Sequence, residues 1–207
     1  MKTLLCFILT LLFFSCNSSG NLPDEDDLQD GDLIFQESTS AQSKAIQLAT
    51  HSKYSHCGII FKGEGNCFVV EAIQPVQSTP LKDWIKRGKG GHYVVRRLKD
   101  ADDVLTPKFV LEMKKFARIY SGKDYDLHFS WDNDKMYCSE LIWKIYNQKG
   151  KGIEIGRLQK LKDFDLSNPI VKEKLAERYG DKIPYNEKVI SPGEIFDSDL
   201  LETIISK

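Results

Sequence analysis

Residues 56–61 (HCGIIF) and 66–72 (NCFVVEA) are two short runs rich in β-branched and aromatic side chains, separated by Lys62-Gly63-Glu64-Gly65. Such runs on either side of a glycine-bearing connection read as a β-hairpin. That commits the middle of the chain to antiparallel sheet. Residues 31–36 (GDLIFQ) and 92–98 (HYVVRRL) supply further strands, and residues 43–50 suit a short helix. From Thr106 the period changes. Val110, Met113, Ala117 and Tyr120 recur at helical spacing behind Pro107, and Gly122 ends the run.

A polar, aromatic loop over residues 123–136 leads to a second amphipathic helix from Cys138 to Asn147, carrying Leu141, Ile142, Ile145 and Tyr146. A further helix is expected over residues 169–179, and Ile190-Ser191-Pro192-Gly193-Glu194-Ile195-Phe196 closes the pattern. Strands in the middle with helices on either side predict an α+β fold, a small antiparallel sheet packed against helices. The chain has 207 residues, of which 41% are hydrophobic and 29% charged, enough for one domain with a real core. Lys plus Arg is 29 against 30 Asp plus Glu. With no basic excess to neutralise phosphates, nucleic acid is not an expected partner.

The N-terminus reads as a targeting segment. Lys2 precedes an apolar run over residues 4–14, too short to span a bilayer as a helix, and Ser15 precedes Cys16. This is similar to a bacterial lipoprotein signal: residues 1–15 are removed and Cys16 carries the lipid. A plain secretory signal cut a few residues later is the alternative, and both export the chain to the cell envelope. Residues 16–30, polar and acidic, are expected to form a flexible tether. The folded domain is then residues 31–207.

Export leaves Cys57, Cys67 and Cys138 beyond the anchor, an odd number, so at least one thiol is unpaired. No C-x-x-C occurs, which argues against structural zinc. If Gly63-Glu64 is a two-residue turn, His56 lies directly opposite Glu71, their Cβ atoms ~5 Å apart. A carboxylate there orients one imidazole nitrogen and leaves the other free as a base. The same register sends Cys57 and Cys67 to opposite faces, and turns Cys57 away from His56. Cys138 opens a helix, where unsatisfied N–H groups and the helix dipole lower a thiol's pKa and can hold an oxyanion. On the residues alone two readings stand: a thiol nucleophile with its base, or a small buried cysteine beside a structural His–Glu pair.

The ordered strings GDLIF, YSHCGIIF, VVEA and YCSELIWKIY resemble the NlpC/P60 superfamily of papain-like cysteine peptidases. In standard members the cysteine helix comes first; here Gly31-Asp32-Leu33 and His56-Cys57-Gly58-Ile59 precede Cys138. That order resembles the circularly permuted branch and, within it, the YiiX-like (YebB/YiiX) group. Gly122-Lys123-Asp124-Tyr125-Asp126 and the late Ile190-Ser191-Pro192 are similar to the same group. The resemblance implies Cys138 as nucleophile, His56 as general base and Glu71 as the group orienting it, with no cofactor and no metal. It also implies Tyr185 as a pocket tyrosine. Position 57 departs from the pattern, holding Cys where Val is more usual. Tyr137, next to the nucleophile, and Trp131, in the loop before it, are candidates to line the cleft.

Other residues carry less. His51, His92 and His128 lack a paired ligand pattern, and a metal site from His51, His56 and Glu71 is a minor alternative. Trp84 and Trp143 read as core or cleft walls, Asp32 as a support for the fold, and residues 86–89 as a solvated loop. The leading function is a lipid-anchored cysteine hydrolase that cleaves an amide in cell-wall peptide or a related small amide. The alternatives are an acyl hydrolase or acyltransferase acting on lipid through the same thiol, which an apolar cleft would favour, and a non-catalytic peptide-binding lipoprotein module.

Overall fold

The computed structural model describes residues 22–207. The signal segment and Cys16 therefore lie outside the described residues. Strands β1 (Leu33–Gln36), β2 (His56–Lys62), β3 (Cys67–Glu71), β4 (Gln77–Pro80), β5 (Val94–Leu98) and β8 (Leu201–Ser206) form one sheet in the order β4-β3-β2-β1-β5-β8, each pair antiparallel. Helix α1 (Ser43–Thr50) joins β1 to β2, and α2 (Leu81–Arg87) follows β4. The short α3 (Ala101–Val104), then α4 (Pro107–Tyr120) and α5 (Cys138–Asn147), follow β5. Strands β6 (Gln159–Lys160) and β7 (Lys188–Val189) pair in a separate ribbon flanking α6 (Pro169–Tyr179), and α7 (Pro192–Phe196) precedes β8.

Alternation along the strands divides two cores. Leu33, Phe35, Cys57, Ile59, Phe61, Val70 and Val94 face α4 and α5, whose Met113, Phe116, Leu141, Ile142 and Ile145 complete that side. Ile34, Ile60, Cys67, Val69 and Val95 face the other way, onto Leu81, Trp84 and Ile85 of α2. Cys57 and Cys67 thus lie on opposite faces, and both are free. A sheet covered on both faces explains why central β1 is buried at every position.

The hairpin register differs from the one read off the sequence. Lys62 pairs with Cys67, and the Gly63 N–H donates to the Asn66 carbonyl at 2.8 Å, so the turn is Glu64-Gly65. Gly65 has φ +74°, which glycine adopts without the Cβ penalty. The ladder is displaced by two residues relative to the expected one. Side chains alternate with period two, so His56 and Glu71 keep a common face but become diagonal neighbours. Gly58 occupies the space between them: a Cβ there would lie 2.3 Å from Val69 Cγ1 and 3.5 Å from Glu71 Cβ.

The expected tether over residues 16–30 also ends earlier than predicted. Leu28 is buried against Ile34, Ile60 and Trp84, and Asp30 Oδ1 accepts the Lys62 N–H at 2.7 Å while its Oδ2 pairs with Lys114 at 2.8 Å. One apolar residue, one backbone hydrogen bond and one ion pair seat this acidic segment. Asp32 is fully buried and accepts two bonds from Arg97, from Nε and Nη2, each 2.7 Å long. Its role is structural, away from the thiol.

Candidate active site

Cys138 is the first residue of α5, preceded by Tyr137 in extended conformation. The turn is fixed from three sides. Glu140 Oε2 accepts the Tyr137 N–H at 3.3 Å, Ser139 Oγ donates to the Ile190 carbonyl at 2.8 Å, and the Ile190 N–H donates to the Tyr137 hydroxyl at 3.2 Å. The late Ile190-Ser191 segment therefore buttresses the helix start. Glu140 is buried, and its carboxyl is pushed up to about 8, burial outweighing the Lys144 ammonium 2.6 Å away.

Helix α5 packs across β2, and its start meets the first two residues of that strand. The groups that act on the Cys138 sulfur are Cys57, through its thiol and its backbone, and His56. His56 Nε2 lies 2.6 Å from Glu71 Oε2. That leaves Nδ1 as the nitrogen facing the sulfur. Glu71 Oε1 accepts from Thr79 Oγ1 at 2.5 Å and from Arg87 Nη2, so both carboxylate oxygens are engaged on a residue with no solvent exposure. Trp84 stacks on His56, ring centroids 5.7 Å apart and planes 22° apart.

These contacts set the charges. Cys57 beside it brings the Cys138 thiol well below the usual cysteine range; burial opposes the shift and His56 adds to it. Burial disfavours a charged His56, yet its bonds to Cys138 and Glu71 prevail and raise it to about 9. Burial likewise opposes ionisation of Glu71, but His56, Thr79 and Arg87 keep it below the ordinary carboxylate range. Cys57 moves the opposite way, well above the cysteine range, through burial and the neighbouring Cys138 sulfur. These directions favour a thiolate at Cys138 and an imidazolium at His56, with Glu71 ionised behind them and Cys57 protonated beside them.

Two hollows meet here. One is an apolar hollow between α1, α6 and the start of α5, with about 90 Å³ of room for water-sized bodies. It is lined by Ala45, Ile46, Ala49, Phe164, Leu166, Val171 and Leu175, and Cys138, Tyr137 and Tyr125 line it too. The other is a polar cleft on the His56 side, bordered by Gln36, Ser38, Ser55, Arg87 and Lys89. Gln42 and Tyr125 line both. The Tyr125 hydroxyl accepts from Gln42 Nε2 at 2.9 Å, and Gln42 Oε1 accepts from Arg178 Nη2 at 2.6 Å, which leaves the phenol proton free to donate.

Of the predicted residues, Cys138, His56 and Glu71 converge, and Tyr137 lines the apolar cavity. Trp131 does not line it; its ring packs edge-on against Trp143, with Lys144 and Lys188 over it. Tyr185 is 50% exposed and lines neither hollow. Arg87, expected in a solvated loop, ends α2 with its guanidinium on Glu71. His51 pairs with Asp165 at 3.4 Å and does not join His56. Cys57 turns away from His56's sheet face as predicted, but towards the nucleophile. Trp84, Arg87, Thr79 and Tyr125 were missed as site residues. The available signals were Leu81, Trp84 and Ile85 at i, i+3, i+4, and the tyrosine in the motif before Cys138.

Comparison with known proteins agrees with this fold. The model of the permuted papain-like amidase enzyme family, YaeF/YiiX, C92, matches residues 27–205. The uncharacterized protein YiiX of Escherichia coli strain K12 is 49% identical over 176 residues, covering 85% of each chain. A crystal structure described as the metalloprotein yiiX of Escherichia coli O157:H7 superposes with a TM-score of 0.82 at 49% identity, over 87% of this chain and 98% of that one. Among the described residues of the present chain, no group of three or more His, Cys, Asp or Glu side chains is arranged to hold a metal ion. The donor set here does not fit one: His56 Nε2 and both Glu71 oxygens are already engaged within the protein.

Proposed function

The chain belongs to the permuted papain-like amidase family, YaeF/YiiX, C92, and on that footing we propose that it is a cysteine hydrolase that opens an amide through a thioester on Cys138. The observation that carries this is the Cys138–His56–Glu71 relay, whose outer bond is 2.6 Å long. The Cys138 thiolate attacks the carbonyl carbon. The resulting oxyanion is met by the N–H groups of the first turn of α5 and by the Tyr125 hydroxyl. His56 gives its Nδ1 proton to the nitrogen, the C–N bond breaks and the amine leaves. Water, deprotonated by His56, then attacks the thioester and releases acid and thiolate. Glu71 stays ionised throughout, holding the ring orientation.

The apolar cavity at Cys138 favours a second statement about the substrate. Its wall of aliphatic and aromatic side chains suits a hydrocarbon acyl group better than a charged peptide from the cell wall. An acyl lipid, as amide or ester, is therefore the reading we prefer for the group that becomes the thioester. Export and lipid anchoring at Cys16 belong to the same proposal, since they bring such substrates within reach.

The test presents N-acyl amides of increasing chain length, phospholipid vesicles and muropeptides to the full chain, with Cys138→Ala as control. Acyl-enzyme on Cys138, captured by acid quench and mass spectrometry from long-chain substrates, supports the reading. Turnover of muropeptides alone would return the substrate to peptide. Turnover by Cys138→Ala would remove the thiol from its role.

A further inference from the structure

The two hollows differ in chemistry, and the reaction assigns each of them one half of the substrate. Cys138 lines the apolar hollow and not the polar cleft; His56 lines the cleft and not the hollow. The carbonyl carbon bonds to the sulfur, whereas the leaving nitrogen takes its proton from the imidazole and must lie within hydrogen-bond reach of it. The acyl half therefore belongs on the Cys138 side and the leaving half in the cleft. We infer that the cleft is a leaving-group subsite selective for an anionic head, a carboxylate or phosphate carried on the departing amine. Lys86, Arg87 and Lys89 are its specificity-determining residues. The inference rests on the hydrolase proposed above.

Three observations carry the charge. First, Lys86, Arg87 and Lys89 line the cleft beside His56, and among the described residues no Asp or Glu lines it. Glu71, which stands behind His56, has no solvent exposure.

Second, the cations keep donors for a ligand. Arg87 gives Nη2 to Glu71, yet its side chain is 40% exposed, and a guanidinium carries five N–H groups. Lys89 Nζ lies 2.8 Å from Glu37 Oε1 with its side chain 68% exposed, and Lys86 Nζ lies 3.9 Å from Asp83 Oδ1. Exposed pairs of this kind are weak, and each ammonium has three donors, so an oxyanion can share them. Third, Ser38, Thr39 and Ser40 also line the cleft, and their hydroxyls can donate to the same oxyanion.

The experiment compares amides that share one acyl chain and differ in the head. N-acylglycine is set against N-acylglycinamide, and N-acyl phosphoethanolamine against N-acylethanolamine. The readout on the full chain is the ratio of kcat/KM, anionic over neutral, within each pair. A ratio of about tenfold is expected, carried by KM and shrinking as salt is added. Preference in the glycine pair alone makes the head a carboxylate; preference in the other pair alone makes it a phosphate. Lys89→Glu and Lys86→Glu should each bring the ratio towards one. Lys115→Glu makes the same change in net charge on α4, lining neither hollow, and should leave the ratio where it was. Ratios of one in the unsubstituted chain, or an equal loss in Lys115→Glu, would overturn the subsite while hydrolysis stands. Saturation-transfer NMR with phosphoethanolamine and with glycine needs no turnover. Binding that Lys89→Glu abolishes, with no amide cleaved, would keep the subsite and remove the hydrolase; absence of both binding and preference overturns the subsite.

Discussion

The indole of Trp84 lies under the imidazole of His56, 5.7 Å between centroids and 22° between planes. The base thus has a carboxylate at one edge, a thiolate at the other and an aromatic face below. An imidazolium gains from that face, by about 0.5–2 kcal/mol for such contacts. Trp84 is fully buried and its Nε1 has no hydrogen-bond partner among the described residues, so Trp84→Phe gives up no polar contact. That variant should retain turnover within about tenfold. Trp84→Ala should cost about 3–5 kcal/mol of stability through the cavity it leaves. Urea unfolding of both variants checks the contrast; equal losses would mean the ring is packing alone.

Alkylation of Cys138 should report the ion pair directly. His56 is raised to about 9 from an ordinary value of ~6.5, and Cys138 is depressed. The imidazolium therefore persists until pH rises through about 9, while the thiolate is lost only as pH falls well below the cysteine range. Iodoacetamide labelling of Cys138 should be nearly flat from mildly acidic to mildly alkaline pH. The acyl-transfer step should decline above about 9, where the leaving amine loses its proton donor. In His56→Ala the labelling curve should move to higher pH. A curve centred near ~8.5 in the unsubstituted chain would show an ordinary thiol.

Tyr125→Phe keeps the ring between the two hollows and deletes the hydroxyl that Gln42 holds at 2.9 Å. Loss of one oxyanion donor lowers turnover by about 10²–10³-fold. KM and the melting temperature should move little, and Cys138 labelling should be retained. A fall in KM-dependent binding with unchanged kcat would instead make Tyr125 a wall of the cavity.

The Asp32–Arg97 pair predicts stability without chemistry. Arg97→Ala strands a fully buried carboxylate that now accepts two 2.7 Å bonds. Breaking one side of such a pair costs about 3–5 kcal/mol. Denaturant titration should show that loss, while the residual folded protein keeps its Cys138 labelling rate.

How much of this was legible varies with the length of the pattern. Strands β1, β2, β3 and β5 announce themselves as short apolar runs because both faces of the sheet are covered, and helices α4 and α5 by period because each buries one face. Gln77–Pro80 does not: it is a polar edge strand with little apolar alternation. The seven-residue α2 is too short for its Leu81, Trp84 and Ile85 to outweigh the charged Lys86-Arg87 that follows. Hence Arg87 read as solvated, although its partner Glu71 lies on the neighbouring β3. The hairpin register slipped because either of two glycines could supply the turn, and only the even displacement preserved the His56–Glu71 face. Leu28, one apolar residue among acids, gave too little signal for a docked segment. Trp131 rests on proximity in sequence and Tyr185 on resemblance, and neither fixes where a loop side chain packs.

The order in which the site's parts occur along the chain governs when chemistry can begin. His56, Cys57 and Glu71 belong to an early hairpin, whereas Cys138 waits on a helix whose start is buttressed from Ser139 to Ile190. During synthesis the base and its carboxylate emerge first, without a partner to activate. The thiol emerges later, and it lacks Cys57 and His56 beside it until α5 settles across β2. A partly made chain thus holds only ordinary cysteines. On the proposed mechanism, activation of the thiol comes at the end of folding, with the docking of one helix.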